Sequence, residues 1–562
     1  MTTFIQRLEE LYRRQPDKTA LVLQVAGRSD REISYRELLR DASAYGSTLG
    51  RAEVRPGDVV VLILQHGEEL IFAFWGTILH GAIPSIMPYL TEKLSPEQYR
   101  ADLAALLAVT KPAAVVTYPA FADEVRAALH GNASVRAVIL TDQLEPASEP
   151  DFAGMRGYER SGDDIVLLQH SSGTTGLQKG VALSHTAVFN QLGAYSHALG
   201  LRSEDVIVSW LPLYHDMGLI AGFLMPILTG IPLILSSPFD WVRAPYRLMR
   251  SVSTYGGTLS WLPNFAYNFC AQKVRDRDLE GVDLSSWRAI INCSEPVRWE
   301  SHEEFFRRFQ PYGLQRTALQ CSYAMAENVF AVTQSDLAGT PLAEDIDRAA
   351  YTTEGLVHPA REGKPAIRMM SSGKPIENTE VRILDKHHRD LAARVVGEVA
   401  LRSDCMLTGY YNRADATRDA IIDGWFLTGD YGYISQGELF VTGRKKDLII
   451  VGGKNIYPQD LEALSYDVPG VHAGRSVAFG VFNEESGTED VVMVVESDAQ
   501  DEVERQKMAD LIRQHITKSS AIALRHVRVV GPHWILKTSS GKTARRANRE
   551  KFLKESGDQL AK

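Results

Sequence analysis

Short apolar runs rich in β-branched residues alternate with segments of helical periodicity through the first part of the chain. The runs that stand out are VVVLIL (59–64), AAVVTY (113–118), AVIL (137–140), IVLL (165–168), VIVSWL (206–211) and IPLIL (231–235). A strand with apolar residues on both faces is buried on both faces, which is typical of parallel sheets covered by helices. The pattern therefore predicts an α/β fold with stacked, mostly parallel sheets.

The pattern of polar and apolar positions changes twice towards the C-terminus. After about residue 375, turn-punctuated strands follow one another in VRILD, GEVALRS and GELFVTG, which predicts a β-rich subdomain over about 375–443. Beyond Arg444, strand-like and helical segments form a unit of about a hundred residues, large enough for a core of its own. We therefore expect an N-terminal domain over 1–443 and a mobile α+β C-terminal domain over 444–562, with Lys446 in the polar junction GRKKD as the hinge.

One stretch, GLIAGFLMPILTGIPLILSS (218–237), is long and apolar enough to resemble a membrane span. Pro226, Pro232 and three glycines interrupt it. Because proline breaks a helix interior, we interpret the stretch as a buried helix, a turn at Thr229 and Gly230, and a core strand. The N-terminal segment MTTFIQRLEELYRRQPDK has charges among its apolar residues, unlike the apolar core of a signal peptide. We therefore expect a cytoplasmic protein with no stable membrane span.

Composition narrows the class of protein further. A chain of 562 residues is longer than a single hydrophobic core usually supports, which agrees with more than one domain. The net charge of −9 and the pI of about 6.0 argue against a general nucleic-acid binder, which normally carries a basic excess. The four cysteines stand far apart without a CxxC pair, so neither a disulfide framework nor a zinc site is indicated, and reduced thiols are expected.

A loop of glycine, serine and threonine, SSGTTGLQKG (171–180), is a candidate for ligand binding. Glycines let a backbone approach a ligand, and hydroxyl and amide donors suit phosphate oxygens, although such a loop taken alone is more often a flexible surface turn. It does not match the nucleotide P-loop GxxxxGK[ST], because Gln178 and Gly180 occupy the places of the second glycine and of the serine or threonine. The segment TSSGKT (538–543) also fails, since Leu536 stands where the first glycine is needed, and a P-loop NTPase is thereby excluded.

Seven motifs in a fixed order carry a resemblance to a known superfamily. They are SSGTTGLQKG (171–180), WLPLYHDMG (210–218), NCSEPV (292–297), CSYAMAE (321–327), GWFLTGDYGYI (424–434), GRKKDLIIVGGKNIYPQDLE (443–462) and KTSSGKTARR (537–546). Together they resemble the acyl-adenylate-forming enzymes, the superfamily of acyl-CoA synthetases, adenylation domains and luciferases. The resemblance runs essentially from end to end, and seven motifs in order are far more specific than any one of them.

The resemblance implies how the phosphates of ATP would be bound. The 171–180 loop would hold the pyrophosphate part through backbone and hydroxyl donors, with Lys179 as a counter-charge. Glu327 would hold Mg²⁺ between the phosphates, a hard cation on a hard oxygen, together with Thr175. Taken without its motif, Glu327 would be an ordinary solvated carboxylate.

The resemblance also implies sites for the nucleoside. Tyr323 would pack on the purine beside the NCSEPV loop, and Asp430 would accept both ribose hydroxyls with help from Arg444. Alternatively, Asp430 would cap a turn of the chain and would not bind the ribose. The implied nucleotide-binding residues are Ser171, Ser172, Gly173, Thr174, Thr175, Gly176, Lys179, Ser294, Glu295, Pro296, Tyr323, Asp430 and Arg444.

The implied catalytic residues are Lys542, His215 and Glu327. Adenylation joins two anions, a carboxylate and the α-phosphate, so a cation delivered to the phosphoryl oxygens helps the reaction. Lys542 stands in a glycine-containing loop that could carry its amine deep into a cleft. His215, beside the apolar WLPLY segment, resembles a position near the entrance of the carboxylate, and a structural histidine is the alternative.

Several motifs are closest in wording to the fatty acyl-AMP ligases, namely WLPLYHDMGLI (210–220), PNFAY (263–267), DLSSWR (283–288) and YPQDLE (457–462). The long segment between Glu327 and Gly373 contains DIDRAAYTTEGLVHPA, which resembles the extra element of that branch. The candidate acyl-binding residues are Trp210, Trp261, Phe265, Ala324 and Met325. Aromatic residues at such spacings are more often plain core.

Three departures from the family pattern concern the same site. Gln178 replaces the usual proline of the loop, which costs loop rigidity. Ala324 replaces a glycine and would narrow the acyl pocket by a methyl group, and Cys293 with Ser294 replaces a Gly-Ala pair. An unusual or bulky acyl group is therefore compatible with the sequence.

We therefore expect an enzyme that activates a carboxylic acid, fatty or otherwise large, as acyl-AMP and passes the acyl group to the phosphopantetheine thiol of an acyl carrier protein. A ligase that uses free CoA as acceptor is the nearest alternative. A nucleotide-binding regulatory protein without catalysis is the alternative from another class, and the presence of Glu327, Asp430 and Lys542 counts against it. A basic tail would steer an acidic carrier or form a solvated helix face, and it comprises Lys537, Arg545, Arg546, Arg549 and Lys551.

Overall fold

The computed structural model describes residues 2–89, 96–130, 132–170, 179–451, 454–472, 474–483, 487–520, 522–538 and 541–556. Within these residues the helices α1 to α16 are, in chain order, Phe4–Arg14, Tyr35–Arg51, Glu68–Leu79, Pro96–Thr110, Ala122–Ala128, His185–Leu199, Met225–Thr229, Pro238–Arg243, Tyr246–Tyr255, Asn264–Lys273, Trp299–Phe309, Arg348–Glu354, Ala414–Ala420, Pro458–Ser465, Glu502–Ser520 and Arg545–Ser556.

The strands β1 to β28 of the same residues are, in chain order, Thr19–Gln24, Arg31–Ser34, Val59–Ile63, Ile83–Ile86, Ala114–Thr117, Ala137–Leu140, Ile165–His170, Gly180–Ser184, Ile207–Ser209, Leu233–Ser236, Leu259–Leu262, Ala289–Asn292, Leu319–Ala324, Ala331–Gln334, Ala343–Asp347, Ala366–Met370, Lys374–Pro375, Thr379–Leu384, Gly397–Ser403, Gly409–Tyr410, Ile421–Ile422, Trp425–Ser435, Glu438–Arg444, Ile449–Val451, Lys454–Ile456, Ser476–Asn483, Thr488–Glu496 and Leu524–Val530.

Two large sheets form the N-terminal part of the molecule. The nine-stranded sheet has the order β17-β14-β13-β12-β11-β9-β10-β1-β2, and its strands from β13 to β1 run parallel. The seven-stranded sheet has the order β20-β8-β7-β4-β3-β5-β6 and is parallel from β7 to β6. Each of the six apolar runs overlaps one of these strands. The predicted α/β fold with mostly parallel sheets is confirmed.

Helix α3 ties the two sheets into one buried core. All of its residues from Leu70 to Leu79 are buried, as expected for a helix that is apolar on every side. The rings of Phe74 and Trp75 contact Phe223, with ring centroids 5.7 and 5.9 Å apart. The cluster to which they belong also contains buried residues of both sheets. Burial of such aromatic side chains stabilises the fold by about 1.5–3 kcal/mol each.

Helix α6 follows the candidate phosphate loop and strand β8 in the chain. Strands β7 and β8, which flank the loop in sequence, pair antiparallel, and α6 follows β8 directly. The Ser184 side chain caps the helix by accepting a hydrogen bond from the amide of Ala187 at 3.1 Å. The helix ends at Gly200, whose φ of +52° is accessible to glycine at little cost.

The apolar stretch 218–237 has the structure that its prolines predict. A π-helical segment, Met217–Leu224, continues into α7, Gly230 takes a φ of +86°, and β10 follows. All of the helical residues up to Leu228 are buried. Over the residues that the structure describes, no helix combines the length and the apolar character that crossing a membrane requires.

Smaller sheets follow the nine-stranded one. Strands β15 and β16 form a two-stranded sheet with α12 between them in the chain. An antiparallel sheet of order β18-β19-β22-β21, with β23 paired to β22, occupies the predicted β-rich segment. Strand β20 lies between two of these strands in sequence but pairs with β8 of the seven-stranded sheet. The β-rich segment is thereby linked to the candidate phosphate loop.

The residues after Ile449 have hydrophobic clusters of their own. Strands β26, β27 and β28 form a sheet that packs against α14, α15 and α16, with a separate β24-β25 hairpin. Buried residues of this part form two clusters apart from the main core. A large N-terminal and a smaller C-terminal domain are therefore present as predicted, whereas their division at residue 443 stays a prediction.

Candidate functional site

Lys179 is the member of the predicted phosphate-binding loop whose surroundings the structure describes. The other predicted members, Ser171, Ser172, Gly173, Thr174, Thr175 and Gly176, lie outside the described residues. Strand β20 pairs with β8, which begins one residue after Lys179, so that Tyr410 is opposite Val181. The Lys179 ammonium lies 4.5 Å from the centroid of the Tyr410 ring, a cation–π contact.

Glu327, predicted to hold Mg²⁺, lies in the turn that follows β13. Its Oε1 accepts a hydrogen bond from the hydroxyl of Tyr410 at 2.8 Å, and its backbone carbonyl accepts one from the amide of Leu407 at 2.8 Å. Burial raises the pKa of Glu327, and the hydrogen bond from Tyr410 opposes this rise. One tyrosine therefore contacts both the lysine and the carboxylate predicted to bind phosphates and metal.

Tyr410 has no place in the site predicted from sequence. Only the pairing of β20 with β8 brings it there, and this pairing joins segments more than two hundred residues apart. Burial, followed by the negative charge of Glu327, raises the pKa of Tyr410, so its hydroxyl stays protonated and remains a donor. The sequence signal for Tyr410 was an aromatic residue in a short strand. It could not be interpreted without knowing which residues of β20 and β8 lie opposite each other.

The turn that carries Glu327 is strained. Val329 has a φ of +61°, which is an outlier for a β-branched residue. Such strain persists only where the surroundings impose it. Here the amide of Phe330 donates to Oε1 of Gln191 at 3.0 Å, and the amide of Met325 donates to the carbonyl of Phe330 at 2.8 Å. These neighbours fix the position of Glu327.

Asp430 and Arg444 are cross-strand partners in the pairing of β22 with β23. Nε of Arg444 lies 3.5 Å from Oδ1 of Asp430, and the hydroxyl of Tyr323 donates to Oδ2 at 2.6 Å. The amide of Asp430 donates to the hydroxyl of Thr428 at 3.0 Å, which fixes the turn. The structure thus brings together three of the residues predicted to bind the nucleoside.

The predicted adenine-side loop follows β12. Ser294 has a φ of +70°, Glu295 accepts a hydrogen bond from the amide of Phe265 at 2.9 Å, and Pro296 is exposed. The thiol of Cys293 is buried, 3.0 Å from the sulfur of Met217. Burial raises the pKa of Cys293 to about 12, so this side chain packs as a neutral thiol.

Lys542 extends from the C-terminal domain to the N-terminal domain. Its ammonium lies 3.4 Å from Nε2 of His215, and Nδ1 of His215 lies 2.6 Å from Oδ1 of Asp216. Asp216 precedes the π-helical segment and accepts a hydrogen bond from the amide of Met217 at 2.8 Å. Carboxylate, imidazole and ammonium form a row that holds the lysine at the face where the domains meet.

Neighbouring charges in this row oppose the effect of burial on one another's pKa. Burial lowers the pKa of Lys542, and the negative charge of Asp216 opposes this effect. Burial alone would raise the pKa of Asp216, but the contact with His215, the charge of Lys542 and the hydrogen bond from the amide of Met217 together outweigh it, and the pKa is lowered. We assign the Nδ1–H tautomer to His215, which donates to Asp216 and accepts from Lys542 through Nε2. An ammonium has three donors, so others are available to oxygens of a substrate.

Asp216 was also missed from sequence, although the signal was present. It stands directly after His215 in WLPLYHDMG, and an acidic residue beside a candidate histidine is a natural orienting partner. The spacing alone did not show that the carboxylate turns back onto the imidazole. The start of the π-helical segment at Met217 decides that geometry, because it fixes the backbone of Asp216.

The candidate acyl-binding residues divide into two groups. The rings of Trp210 and Trp241 stack with their centroids 3.5 Å apart and 5° between planes, and Phe265 meets both edge-on at 6.5 and 6.2 Å. A side-chain carbon added at Gly541, next to Lys542, would lie 3.5 Å from Phe265. Trp210 and Phe265 therefore belong to an aromatic wall beside the lysine loop, together with Trp241, which was not predicted.

The other candidates have the contacts of core residues. Trp261 is 1% exposed in β11, and its indole N–H donates to the hydroxyl of Tyr195 at 2.8 Å. Ala324 and Met325 are half-buried against the main core at the end of β13. The sulfur of Met325 lies 4.0 Å from the hydroxyl of Tyr323. Met325 therefore adjoins Tyr323 of the predicted nucleoside site.

The predicted hinge residue Lys446 lies in the single helical turn Lys445–Asp447 that directly follows β23. Lys445 is held to the N-terminal domain, with its ammonium 2.7 Å from Oε2 of Glu398. Burial and the nearby charge of Arg444 lower the pKa of Lys446. The helical turn is therefore anchored to the N-terminal domain at its first residue, Lys445.

Part of the predicted basic tail does not form a free surface. Arg545 pairs with Glu462 at 2.6 Å within the C-terminal domain and is largely buried. Arg546 pairs with Glu550 at 2.8 Å, and Lys551 donates to the carbonyl of Trp534 at 2.8 Å. The prediction of an open basic face is therefore wrong for Arg545, whose charge serves the fold of its own domain.

Comparison with known proteins identifies the class. Residues 8–411 match the family described as AMP-binding enzyme. The chain is 30% identical over 554 residues to the medium-chain-fatty-acid–[acyl-carrier-protein] ligase JamA of Moorena producens. The alignment covers 94% of this chain and 91% of that protein. It is 31% identical over 526 residues to the long-chain-fatty-acid–AMP ligase FadD26 of Mycobacterium tuberculosis, which covers 88% and 87%.

A solved structure agrees with these relatives. A chain from a study of fatty acyl-adenylate ligases from E. coli and L. pneumophila superposes with a TM-score of 0.89 at 28% identity, covering 99% of this chain and 98% of that one. The chain belongs to the AMP-binding enzyme family. The predicted resemblance to the fatty acyl-AMP ligases and the predicted class, an ATP-dependent acyl-adenylate-forming ligase, are confirmed.

The residues present fit a partial Mg²⁺ site. Among the residues that the structure describes, no group of three or more His, Cys, Asp or Glu side chains could hold a metal ion. Mg²⁺ in nucleotide enzymes usually takes one or two carboxylates and completes its shell with phosphates and water. Glu327 offers one such carboxylate, oriented by Tyr410, whose ring also contacts Lys179 of the predicted phosphate loop.

Proposed function

We propose that this protein activates a fatty acid with ATP to give acyl-AMP and pyrophosphate, and then transfers the acyl group to the phosphopantetheine thiol of an acyl carrier protein. The contact between Lys542 and His215 carries the proposal, because it brings an ammonium from one domain to the apolar WLPLY segment of the other. The names of relatives along nearly the whole chain support the fatty acid and the carrier protein as substrates.

In the first half-reaction, a carboxylate oxygen of the acid attacks the α-phosphorus of ATP, and the bond from phosphorus to the pyrophosphate oxygen breaks. Lys542 neutralises charge on the carboxylate and the α-phosphoryl oxygens as they approach, and Lys179 does so for the departing pyrophosphate. Mg²⁺ at Glu327 would supply further charge neutralisation on the phosphates. His215 and Asp216 hold Lys542 in place.

In the second half-reaction, the thiol sulfur attacks the acyl carbonyl, the thiol proton passes to solvent water, and AMP departs with the electrons of the acyl–oxygen bond. The Lys542 loop lies against Phe265 and His215, where the thiol would have to approach. The loop must therefore move between the half-reactions, and a turn at Lys446 would provide the movement.

The experiment that tests the activation step is ATP–pyrophosphate exchange with a panel of carboxylic acids. The proposal predicts exchange that depends on a fatty acid and increases with chain length up to an optimum. A regulatory protein that only binds the nucleotide would show tight ATP binding with no exchange for any acid. Exchange with amino acids alone would contradict the fatty-acid substrate.

The acceptor is predicted to be a carrier protein and not free CoA. The segment between Glu327 and Gly373, present as β15, α12 and β16, resembles the extra element of the ligase branch, and JamA is named as a carrier-protein ligase. With equal concentrations of holo carrier protein and CoA in one reaction, acyl carrier should form in clear excess. The apo carrier, which lacks the thiol, is the control, and acyl-CoA as the main product would establish the CoA-ligase alternative.

Tyr410→Phe is predicted to weaken the binding of the Mg²⁺ that exchange requires. The variant keeps the ring under Lys179 and removes the hydroxyl that orients Glu327. Loss of one hydrogen bond to a charged group corresponds to about a tenfold change, so the Mg²⁺ concentration for half-maximal exchange should rise about tenfold. The affinity of an ATP analogue, titrated with and without Mg²⁺, should show the same difference only when Mg²⁺ is present.

Tyr411→Phe is the matched control for this prediction. Tyr411 is the next residue and also an aromatic phenol, but Tyr410 is the one that contacts Lys179 and Glu327. The control should show the Mg²⁺ dependence of the wild type. An unchanged Mg²⁺ dependence in Tyr410→Phe would reject the role of its hydroxyl.

A further inference from the structure

We propose that Asn264 is the positioning residue that closes the adenine-side loop and thereby sets the affinity of the enzyme for ATP. The inference rests on the proposed function, since it takes the 292–297 segment to face the purine. Neither the motifs nor the relatives assign a role to this asparagine. Hydrogen bonds at the start of α10 connect Asn264 to this loop.

One amide oxygen holds both ends of the loop. Oδ1 of Asn264 accepts a hydrogen bond from Nδ2 of Asn292 at 3.0 Å, where β12 ends and the loop begins. The same oxygen accepts one from the amide of Arg298 at 3.1 Å, where the loop ends and α11 begins. Residues 293–297 are therefore closed into a ring through one buried side chain.

The loop is also held at its centre from the same helix. Glu295 accepts a hydrogen bond from the amide of Phe265, the residue after Asn264, at 2.9 Å. Ser294 takes a φ of +70°, a conformation that a non-glycine residue adopts only when its surroundings impose it. The first turn of α10 thus supplies the contacts that impose this shape.

A buried network orients Asn264 in turn. Its Nδ2 donates to the hydroxyl of Ser301 at 3.1 Å, and Asn292 Nδ2 also lies 3.1 Å from Nε2 of His302. The ring of His302 stacks on Tyr267 with centroids 4.9 Å apart, and all of these side chains are buried. Burial lowers the pKa of His302 to about 3, so it is neutral and can accept from Asn292. Every contact of this network joins groups of the protein itself.

The same loop ends at a contact with the C-terminal domain. The guanidinium of Arg298 donates to the carbonyl of Gln459 at 2.7 Å, while its backbone amide is held by Asn264. Asn264 therefore affects a loop that faces the purine on one side and the mobile domain on the other. We expect a substitution of Asn264 to affect ATP binding most, because it removes the hydrogen bonds that shape this loop.

The test compares two substitutions of nearly equal size. Asn264→Leu removes the acceptor, and its KM for ATP in pyrophosphate exchange should rise about tenfold or more while kcat changes about threefold at most. Asn264→Asp keeps an acceptor oxygen at the same place and should restore KM to within about threefold of the wild type. Ser301→Ala removes one of the hydrogen bonds that orient Asn264 and should raise KM for ATP by less than Asn264→Leu does.

A second readout separates positioning from general destabilisation. The ratio of kcat/KM for ATP to that for GTP should fall in Asn264→Leu, because a loosened loop discriminates less between purines, and should be retained in Asn264→Asp. Asn264→Ala serves in the same comparison if the leucine variant does not fold. An unchanged KM and purine preference in a folded leucine or alanine variant would overturn the inference. Absence of exchange in the wild type would instead refute the proposed function.

Discussion

Lys542→Ala is expected to lower fatty-acid-dependent ATP–pyrophosphate exchange by about 10²–10³-fold, the range found when one preorganised donor is removed from a charged transition state. The ammonium lies at the domain contact, 3.4 Å from Nε2 of His215, and among the described residues no other lysine is shown in contact with His215. Its loss leaves two anions to approach each other without the cation between them. Folding should be retained, since Lys542 is half-buried in a loop and the cores of both domains lie elsewhere.

Two controls separate the role of Lys542 in adenylation from a general effect. Lys551→Ala removes another lysine of the same domain, one that donates to the carbonyl of Trp534, and should leave exchange unchanged. Acyl-AMP supplied to Lys542→Ala should still react with the holo carrier protein, because that step does not need the lysine. Wild-type exchange in Lys542→Ala would refute the assignment.

Lys446→Pro is expected to spare acyl-adenylate formation and to slow acyl transfer to the thiol by about 10²-fold or more, as misplacement of a reacting group can do. Lys446 is the middle residue of a single helical turn after β23, and Lys445 before it is tied to Glu398. Proline fixes φ at one value and restricts the residue before it, so the turn loses the rotation that a second domain position needs.

The two half-reactions are to be measured on the same preparation of Lys446→Pro. Pyrophosphate exchange reports the first, and the single-turnover rate of carrier acylation from preformed acyl-AMP reports the second. Lys446→Ala removes the side chain without restricting the backbone and should behave like the wild type in both. An equal loss in both half-reactions, or no loss in the second, would reject the hinge.

The strands were predictable because their signal is local. Runs such as VVVLIL and AVIL are too short and too uniformly apolar for a surface helix, and they became β3 and β6. The prolines and glycines of the 218–237 stretch likewise predicted a helix, a turn and a strand in that order. The π-helical geometry of Met217–Leu224 was not predicted, because the apolar pattern does not distinguish it from an α-helix.

Site residues that stand in a sequence motif were predictable. Residues that only the fold brings to the site were not. Lys542, Asp430 and Arg444 stand in motifs, and the structure places each beside other predicted residues. Tyr410 and Trp241 reach the site through the pairing of β20 with β8 and through the stacking on Trp210. Such long-range contacts have no counterpart in the local pattern.

Trp261 shows how the contacts of an aromatic residue change its interpretation. It was a candidate for the acyl pocket with the core as the alternative, and its indole N–H is bound to Tyr195 inside the nine-stranded sheet. Such burial in a strand is typical of core, and a role of Trp261 in acyl binding stays a prediction. Exposure, which sequence does not report, separates it from Phe265, whose side chain is only partly buried.

The central claim, that a fatty acid is activated as acyl-AMP and passed to a carrier protein, is tested most directly by intact-mass spectrometry of one reaction. The purified protein is incubated with ATP, Mg²⁺, a fatty acid and a holo carrier protein. The account predicts that the carrier gains the mass of the acyl group and that AMP and pyrophosphate are released in equal amounts with it. A carrier of unchanged mass, or ADP and phosphate as the products of ATP, would contradict it.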